Sequence, residues 1–221
     1  MAKGKKAAPQ IEVPAEPIAA SVPTRAVAMR AQIVNQERPM EPRGSQLGSF
    51  VKAIAFAAEK HRNQRRKDTE ASPYINHPIA LANLLANEGG VSDATVLCAA
   101  VLHDTIEDTE TSEDELTAAF GSKISSVVLE VTDDKSLEKH VRKQRQIEHA
   151  PHISTEAKLV KLADKICNLR DILASPPASW SAERKQAYFD WANKVVAGVR
   201  GVHPSLEAVF DGLVARHAEL R

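Results

Sequence analysis

From Leu47 onward apolar residues recur at steps of three and four, at Leu47, Phe50, Val51, Ile54, Ala57, Ala58 and His61, the stripe that one face of an α-helix presents. A polar loop over 62–76 follows, and His77-Pro78 then opens a second helix reaching Leu85, with proline suited to the first helical position. Gly89-Gly90 ends that helix, and Ser92 and Asp93 cap a central one whose start, 95–102, is apolar enough to be buried. Ser112 with Glu115 spells a capping box for a short helix closed at Gly121. Helical periodicity continues over 124–131, 137–149, 156–173, 181–199 and 206–219. No convincing alternating strand, hairpin dipeptide or internal repeat interrupts it, so the pattern predicts an all-α, multi-helix bundle.

Residues 1–44 break this rhythm. They are rich in Ala, Pro, Glu and Arg with little sustained period, which predicts a flexible extension holding at most a short helix over 25–34. Glu12, Glu16, Glu37 and Glu41 are too many acids for a transit peptide. One catalytic-sized domain over 45–221 is the expected organisation, since 221 residues hold one good core and little more.

Chemistry concentrates in His103-Asp104-Thr105-Ile106-Glu107-Asp108. Continued helically from the apolar segment, this run stacks His103 over Glu107 and Asp104 over Asp108, because residues four apart share a face. A metal-competent His-Asp pair and two further carboxylates then sit where a core helix reaches polar ground. Burying unpaired carboxylates is costly, so they require a cation or strong donors. The plainer alternative is an acidic helix end frayed into solvent.

On the wheel of 156–173, Leu159, Leu162, Ala163, Ile166, Cys167 and Leu169 form a broad apolar arc beside a narrow strip of Lys161, Asp164, Asn168 and Asp171. On spacing alone that strip reads as a solvated face ahead of a row of ligands. His77 reads as a helix-start partner or a ligand, and His61 as a packed helix-end residue.

Charge then narrows the partners. The 29 basic and 29 acidic residues cancel, leaving no whole-molecule field for nucleic acid or an anionic membrane, and aromatics for base stacking are few. No apolar stretch approaches the roughly 18 residues of a membrane span. Met1 to Lys6 leads into no secretory hydrophobic region, so the expectation is a soluble, cytoplasmic protein. Cys98 and Cys167 lie far apart in apolar helical segments and read as buried free thiols. The pattern leaves a homo-oligomer open.

Five ordered blocks resemble the HD-domain alarmone hydrolases, in particular the stand-alone small alarmone hydrolases related to the hydrolase half of Rel/SpoT enzymes. They are Lys60-His61-Arg62-Asn63-Gln64-Arg65-Arg66-Lys67, Pro73-Tyr74-Ile75-Asn76-His77-Pro78, Leu102-His103-Asp104-Thr105-Ile106-Glu107-Asp108-Thr109, Glu130-Val131-Thr132-Asp133-Asp134-Lys135, and the stretch from Ala157 to Asp171. Together they fall within nearly all of 50–200. The resemblance implies one divalent ion, manganese in this family, on His77, His103, Asp104 and Asp164, a nitrogen and oxygen set suited to a borderline-to-hard cation. It implies that Glu107 and Asp108 position or deprotonate the attacking water. It places Arg66, Lys67 and Asn168 near substrate, with Lys139, Arg184 and Tyr188 as further matches to the stand-alone enzymes.

The implied reaction is hydrolysis of guanosine 3′-diphosphate 5′-(di- or tri)phosphate to pyrophosphate and GDP or GTP. No resemblance to a synthetase domain appears, and too few residues follow Val199 to hold one. Two other readings keep the fold: a phosphohydrolase acting on another nucleotide phosphate, and a non-catalytic alarmone-binding module. Glu107 and Asp108 argue against the second, since a pure binder has no use for an acid pair.

Overall fold

The computed structural model describes residues 43–220. The readings for 1–44, including a short helix over 25–34, therefore lie almost wholly outside the described residues. Ten α-helices follow in order: α1 Arg43–Lys60, α2 Asn76–Asn83, α3 Ala94–Leu102, α4 Thr105–Asp108, α5 Glu113–Phe120, α6 Ser122–Val131, α7 Lys139–His149, α8 Thr155–Ala174, α9 Ala182–Ala197 and α10 Pro204–Val214. A π-helical turn, Leu84–Glu88, extends α2, and 3-10 turns follow α7 and α10. Among the described residues there is no strand, only an isolated antiparallel bridge between Arg65 and Pro73 that pins the polar loop. The fold is all-α.

Two helices make the centre. α3 packs against α1, α2, α6 and α8, and α8 against α2, α3, α6, α9 and α10. In α3, Cys98, Ala99, Ala100, Val101 and Leu102 are wholly buried, so this helix is apolar all round, as a helix enclosed by others must be. Burying each large aliphatic side chain contributes about 1.5–3 kcal/mol. Cys98 and Cys167 are buried and unpaired, and burial pushes both thiols up, to about 11 and about 12.

The expected stripe of α1 turns as it runs. Ala53, Ala57 and His61 are buried and Phe50 and Ile54 half-buried, whereas Leu47 and Val51 at the start are exposed. Small side chains at 53 and 57 allow α1 to approach α3 closely, and Leu47 and Val51 lie at the edge of the buried face. α2 begins two residues before Pro78, which becomes its third residue, still within the turn whose N–H groups have no helical partner.

Capping follows the sequence reading in part. The Asp93 carboxylate accepts from Thr95 N–H at 2.7 Å, and Ser112 Oγ from Glu115 N–H at 3.1 Å. The Glu115 side chain does not close the box. It accepts from Lys60 Nζ at 2.8 Å and ties α5 to the end of α1. Gly121 joins α5 to α6 at φ +81°, a conformation L side chains rarely adopt, which is why the link is glycine.

Candidate metal centre and nucleotide cleft

The central helix does not run on through the acidic segment. α3 stops at Leu102, Asp104 takes φ −99° and ψ 0°, and a separate turn, α4, carries Glu107 and Asp108. Side chains take over the bonds that the break frees: Thr105 Oγ donates to Leu102 O at 2.7 Å, and His103 Nδ1–H donates to Ala100 O at 2.9 Å. A carbonyl can only accept, so Nδ1 must hold the ring proton, leaving Nε2 with its lone pair free to bind a cation. The expected stacking of Glu107 and Asp108 under His103 and Asp104 on one continuous helix is thereby corrected.

Around this break, α2 brings His77 and α8 brings Asp164. His77, His103 and Asp164 each offer a ligand atom, and those atoms all lie within 4.8 Å of one another. His77 Nε2 is 3.2 Å and His103 Nε2 3.9 Å from Asp164 Oδ1. Asp104 adjoins the triad, its Oδ2 lying 2.9 Å from His103 Nε2 and accepting a short hydrogen bond from Tyr74 OH.

The charges here suit a cation. His103 Nε2 is buried and makes no well-aligned hydrogen bond, its nearest polar neighbour being the Asp104 carboxylate at 2.9 Å. Burial disfavours a charged imidazole, yet the Asp104 and Asp164 carboxylates pull His103 up to about 9. Burial also works against both carboxylates, and their cationic neighbours hold them well below the usual range all the same. A cluster that grips a proton this firmly has a field made for positive charge. The donor set and the imidazole nitrogen free of a well-aligned hydrogen bond therefore fit a divalent ion.

Lys161, Asp164 and Asn168 of the α8 strip face this cavity, whereas Asp171 borders the neighbouring cleft and is half exposed. Asn168 Nδ2 donates to Asp164 Oδ1 at 2.6 Å and Lys165 Nζ to Asp164 Oδ2 at 2.8 Å, so the fourth expected ligand is held from two sides. Lys165 is itself buried and stands 4.4 Å from the Trp191 ring centroid. Lys161, also buried, donates to Val131 O at 2.9 Å and thereby caps α6.

Glu107 and Asp108 part company. Glu107 lines the metal cavity of about 170 Å³, accepting from Asp133 N–H at 3.1 Å. Burial, with Asp104 and Asp133 nearby, raises its carboxyl from 4.5 to about 7. Asp108 instead faces a larger neighbouring cleft of about 690 Å³. There it pairs with Lys135 and accepts from Gln64 Nε2 at 2.9 Å, and Gln64 in turn meets His61 Nδ1 at 2.6 Å. His61 is the packed helix-end residue that the sequence suggested.

Arg66, Lys67, Asn168 and Tyr188 line this cleft, so four of the six expected substrate residues meet there. Arg66 forms a short ion pair with Asp171, and Lys67 is exposed. Arg184 is exposed on the first turn of α9 and lies over the Trp180 ring at 4.4 Å, beside the cleft. Lys139 is exposed at the start of α7 and lines neither cavity.

Sequence reasoning assigned no role to Tyr74, Gln64, Lys135, Lys165, Arg142 or Trp180. Tyr74 was within reach, three residues before His77 and so positioned to share its surroundings. Lys165 follows Lys161 by one turn and could be paired with it. Nothing local links Gln64 or Lys135 to Asp108, which lies 44 and 27 residues away.

A helical bundle that gathers a histidine, a His-Asp dipeptide and a distant aspartate from three parts of the chain around one cavity defines an HD-type centre. The chain belongs to the HD-domain family, whose sequence model matches residues 53–195. It is similar to the guanosine-3′,5′-bis(diphosphate) 3′-pyrophosphohydrolase MESH1 of Danio rerio, 53% identical over 164 residues that cover 74% of this chain and 91% of the relative. Its similarity to the protein of the same name in Homo sapiens is 54% over 170 residues, 77% of this chain and 95% of the relative. A solved structure described as "A metazoan ortholog of SpoT hydrolyzes ppGpp and plays a role in starvation responses" superposes with a TM-score of 0.74. It is 46% identical, and the match covers 76% of this chain and 94% of that one.

Proposed function

We propose that this chain hydrolyses guanosine 3′-diphosphate 5′-(di- or tri)phosphate to pyrophosphate and GDP or GTP, within a domain running over 45–221. The observation that carries the reading is that the metal cavity meets the nucleotide-sized cleft at Arg66, Tyr74, His77 and Asn168. A nucleoside in the cleft can therefore present a 3′ substituent to His77, His103, Asp104 and Asp164. These four residues would hold one manganese ion, which would supply Lewis acidity and hydroxide from water at neutral pH.

The residues of the chain supply the rest. Water oxygen bonds to the phosphorus attached to O3′, the P–O3′ bond breaks, and O3′ takes a proton to become the ribose hydroxyl. Glu107, in the metal cavity, accepts the proton of the attacking water, a task its raised carboxyl suits near neutral pH. Asp108, held by Lys135 and Gln64 on the cleft side, positions the 3′ end. Arg66 and Lys67 hold the 5′-phosphates, the guanidinium by paired hydrogen bonds and the ammonium as a mobile charge. Tyr188 and Arg184 border the base end, and Asn168 joins cleft to cavity. No helix among the described residues is long and apolar enough to cross a membrane, and the partner is a small nucleotide.

Charge reversal tests the placement. Arg66→Glu with Lys67→Glu is expected to raise KM by at least about tenfold while leaving metal content unchanged. An unchanged KM would remove the pair from the substrate site. A nucleotide panel tests the activity: the 3′-diphosphate should release pyrophosphate, whereas GTP should keep its γ-phosphate. Equal rates on the two would favour a general nucleotide phosphohydrolase.

A further inference from the structure

A second, smaller cavity of about 150 Å³ also adjoins the metal cavity, sharing Asp133, Gln146 and Lys161 with it. The nucleotide cleft meets the metal cavity through an entirely different set of side chains, and the cleft and the small cavity have none in common. The metal cavity is thus flanked by two spaces, one sized for a nucleoside and one for a single small anion.

The small cavity gathers three cationic side chains, Lys161, Arg142 and Arg145. Lys161 is buried, and its one hydrogen bond goes to the Val131 carbonyl. Arg142 has its Nε buried with no hydrogen-bond partner, and its Nη1 stands 3.8 Å from Glu107 Oε1. Arg145 also lines the wall. The carboxylates of the same wall each accept hydrogen bonds from other groups, while Asp134 also feels the Arg145 and Arg142 charges. Glu130 accepts from Ser154 N–H at 2.5 Å, Asp133 accepts a short bond from Gln146, and Asp134 accepts from Ser136 N–H at 3.0 Å and Oγ at 2.6 Å.

We propose that this cavity receives the outer phosphate of the 3′-diphosphate, and that Arg142 with Lys161 is how the enzyme distinguishes a 3′-diphosphate from a 3′-monophosphate. The inference rests on the proposed activity and deepens it. With the nucleoside in the cleft and the attacked inner phosphorus in the metal cavity, the outer phosphate must extend away from the nucleoside, and this is the adjoining space with donors to meet it. A guanidinium can bind two phosphate oxygens at once, and both cations are sheltered enough for such bonds to be strong. After O3′ departs, the pyrophosphate product keeps its outer phosphate on the same residues.

Titration calorimetry of the manganese-loaded protein with pyrophosphate and with orthophosphate tests this. Wild-type protein should bind pyrophosphate more tightly. Arg142→Gln should lower pyrophosphate affinity by about ten- to a hundredfold, the range for loss of a charge-assisted hydrogen bond. Orthophosphate affinity and metal content should stay unchanged, and Arg142→Lys should recover part of the loss. In turnover, Arg142→Gln should raise KM for the 3′-diphosphate but not for the matching 3′-monophosphate. If Arg142→Gln does not fold, Arg145→Gln on the same wall should show a smaller loss of the same selectivity. Equal loss for both anions, or an unchanged preference for pyrophosphate in the folded variants, overturns the subsite. Wild-type protein that releases only orthophosphate from the 3′-diphosphate overturns the activity itself, and that result needs no variant.

Discussion

Glu107→Gln is expected to lower kcat by about two to four orders of magnitude while manganese remains bound, the range for loss of a general acid–base group. The side chain lines the metal cavity without belonging to the cluster of ligand atoms. Removing its charge therefore leaves the ligands intact and deprives the attacking water of its proton acceptor. A base works only when ionised, so kcat/KM should rise with pH through the Glu107 ionisation. That ionisation lies at or below the value of about 7, because a bound cation offsets the Asp104 charge that helps to raise it. The limb should vanish in Glu107→Gln.

Stability should move the other way. Between 4.5 and about 7 the folded chain keeps a proton on Glu107 that the unfolded chain releases, so the stability this proton confers is lost as pH rises through that window. Above it the half-buried charge remains as a cost. Metal-free Glu107→Gln should therefore be more stable than wild type at pH 8 by about 1–2 kcal/mol, and the gap should close toward pH 5. Denaturant melts at the two pH values check this. Near-normal turnover would remove Glu107 from the chemistry, and loss of manganese would make it a ligand.

Replacing any one of His77, His103, Asp104 and Asp164 by alanine is expected to reduce bound manganese from one per chain to near zero, and activity with it, because four protein ligands leave little redundancy. Asp164→Ala should cost most. It also strips Lys165 of its carboxylate and leaves a buried ammonium unpaired, a change that destabilises by about 3–5 kcal/mol. Asp164→Asn keeps the shape and separates the two effects. Metal analysis of the purified variants, with thermal melts alongside, gives the answer. Full metal content in Asp164→Ala would refute its assignment as a ligand. Since protons compete for these ligands, metal affinity of the wild type should also fall as pH falls.

Helix positions were legible because an apolar stripe of period 3.6 survives in a single sequence wherever one face is buried. The pattern misled in two places. In α1 the buried face runs through Phe50, Ala53, Ile54, Ala57 and His61, so Leu47 and Val51 match the period yet lie at its exposed edge. At His103-Asp104 the period runs on unbroken, because Thr105 and His103 themselves bond the freed carbonyls and no glycine or proline marks the break.

The four expected ligands could be proposed because the five blocks resemble a family. Spacing alone favoured solvent over site for the strip of α8. Burial of Lys161 and Lys165 decides it, and burial of a polar residue depends on what packs opposite, which no helical wheel contains. The same holds for Asp108. Its sequence neighbours place it beside Glu107, but its partners arrive from the loop at Gln64 and from Lys135, and these turn it toward the larger cleft.

The central claim is that water attacks the phosphorus bonded to O3′. Hydrolysis of guanosine 3′-diphosphate 5′-diphosphate in ¹⁸O-labelled water, followed by mass spectrometry of the products, tests it most directly. The account predicts one labelled oxygen in the pyrophosphate and an unlabelled GDP. Label in orthophosphate, with a 3′-monophosphate left on the nucleotide, would contradict it.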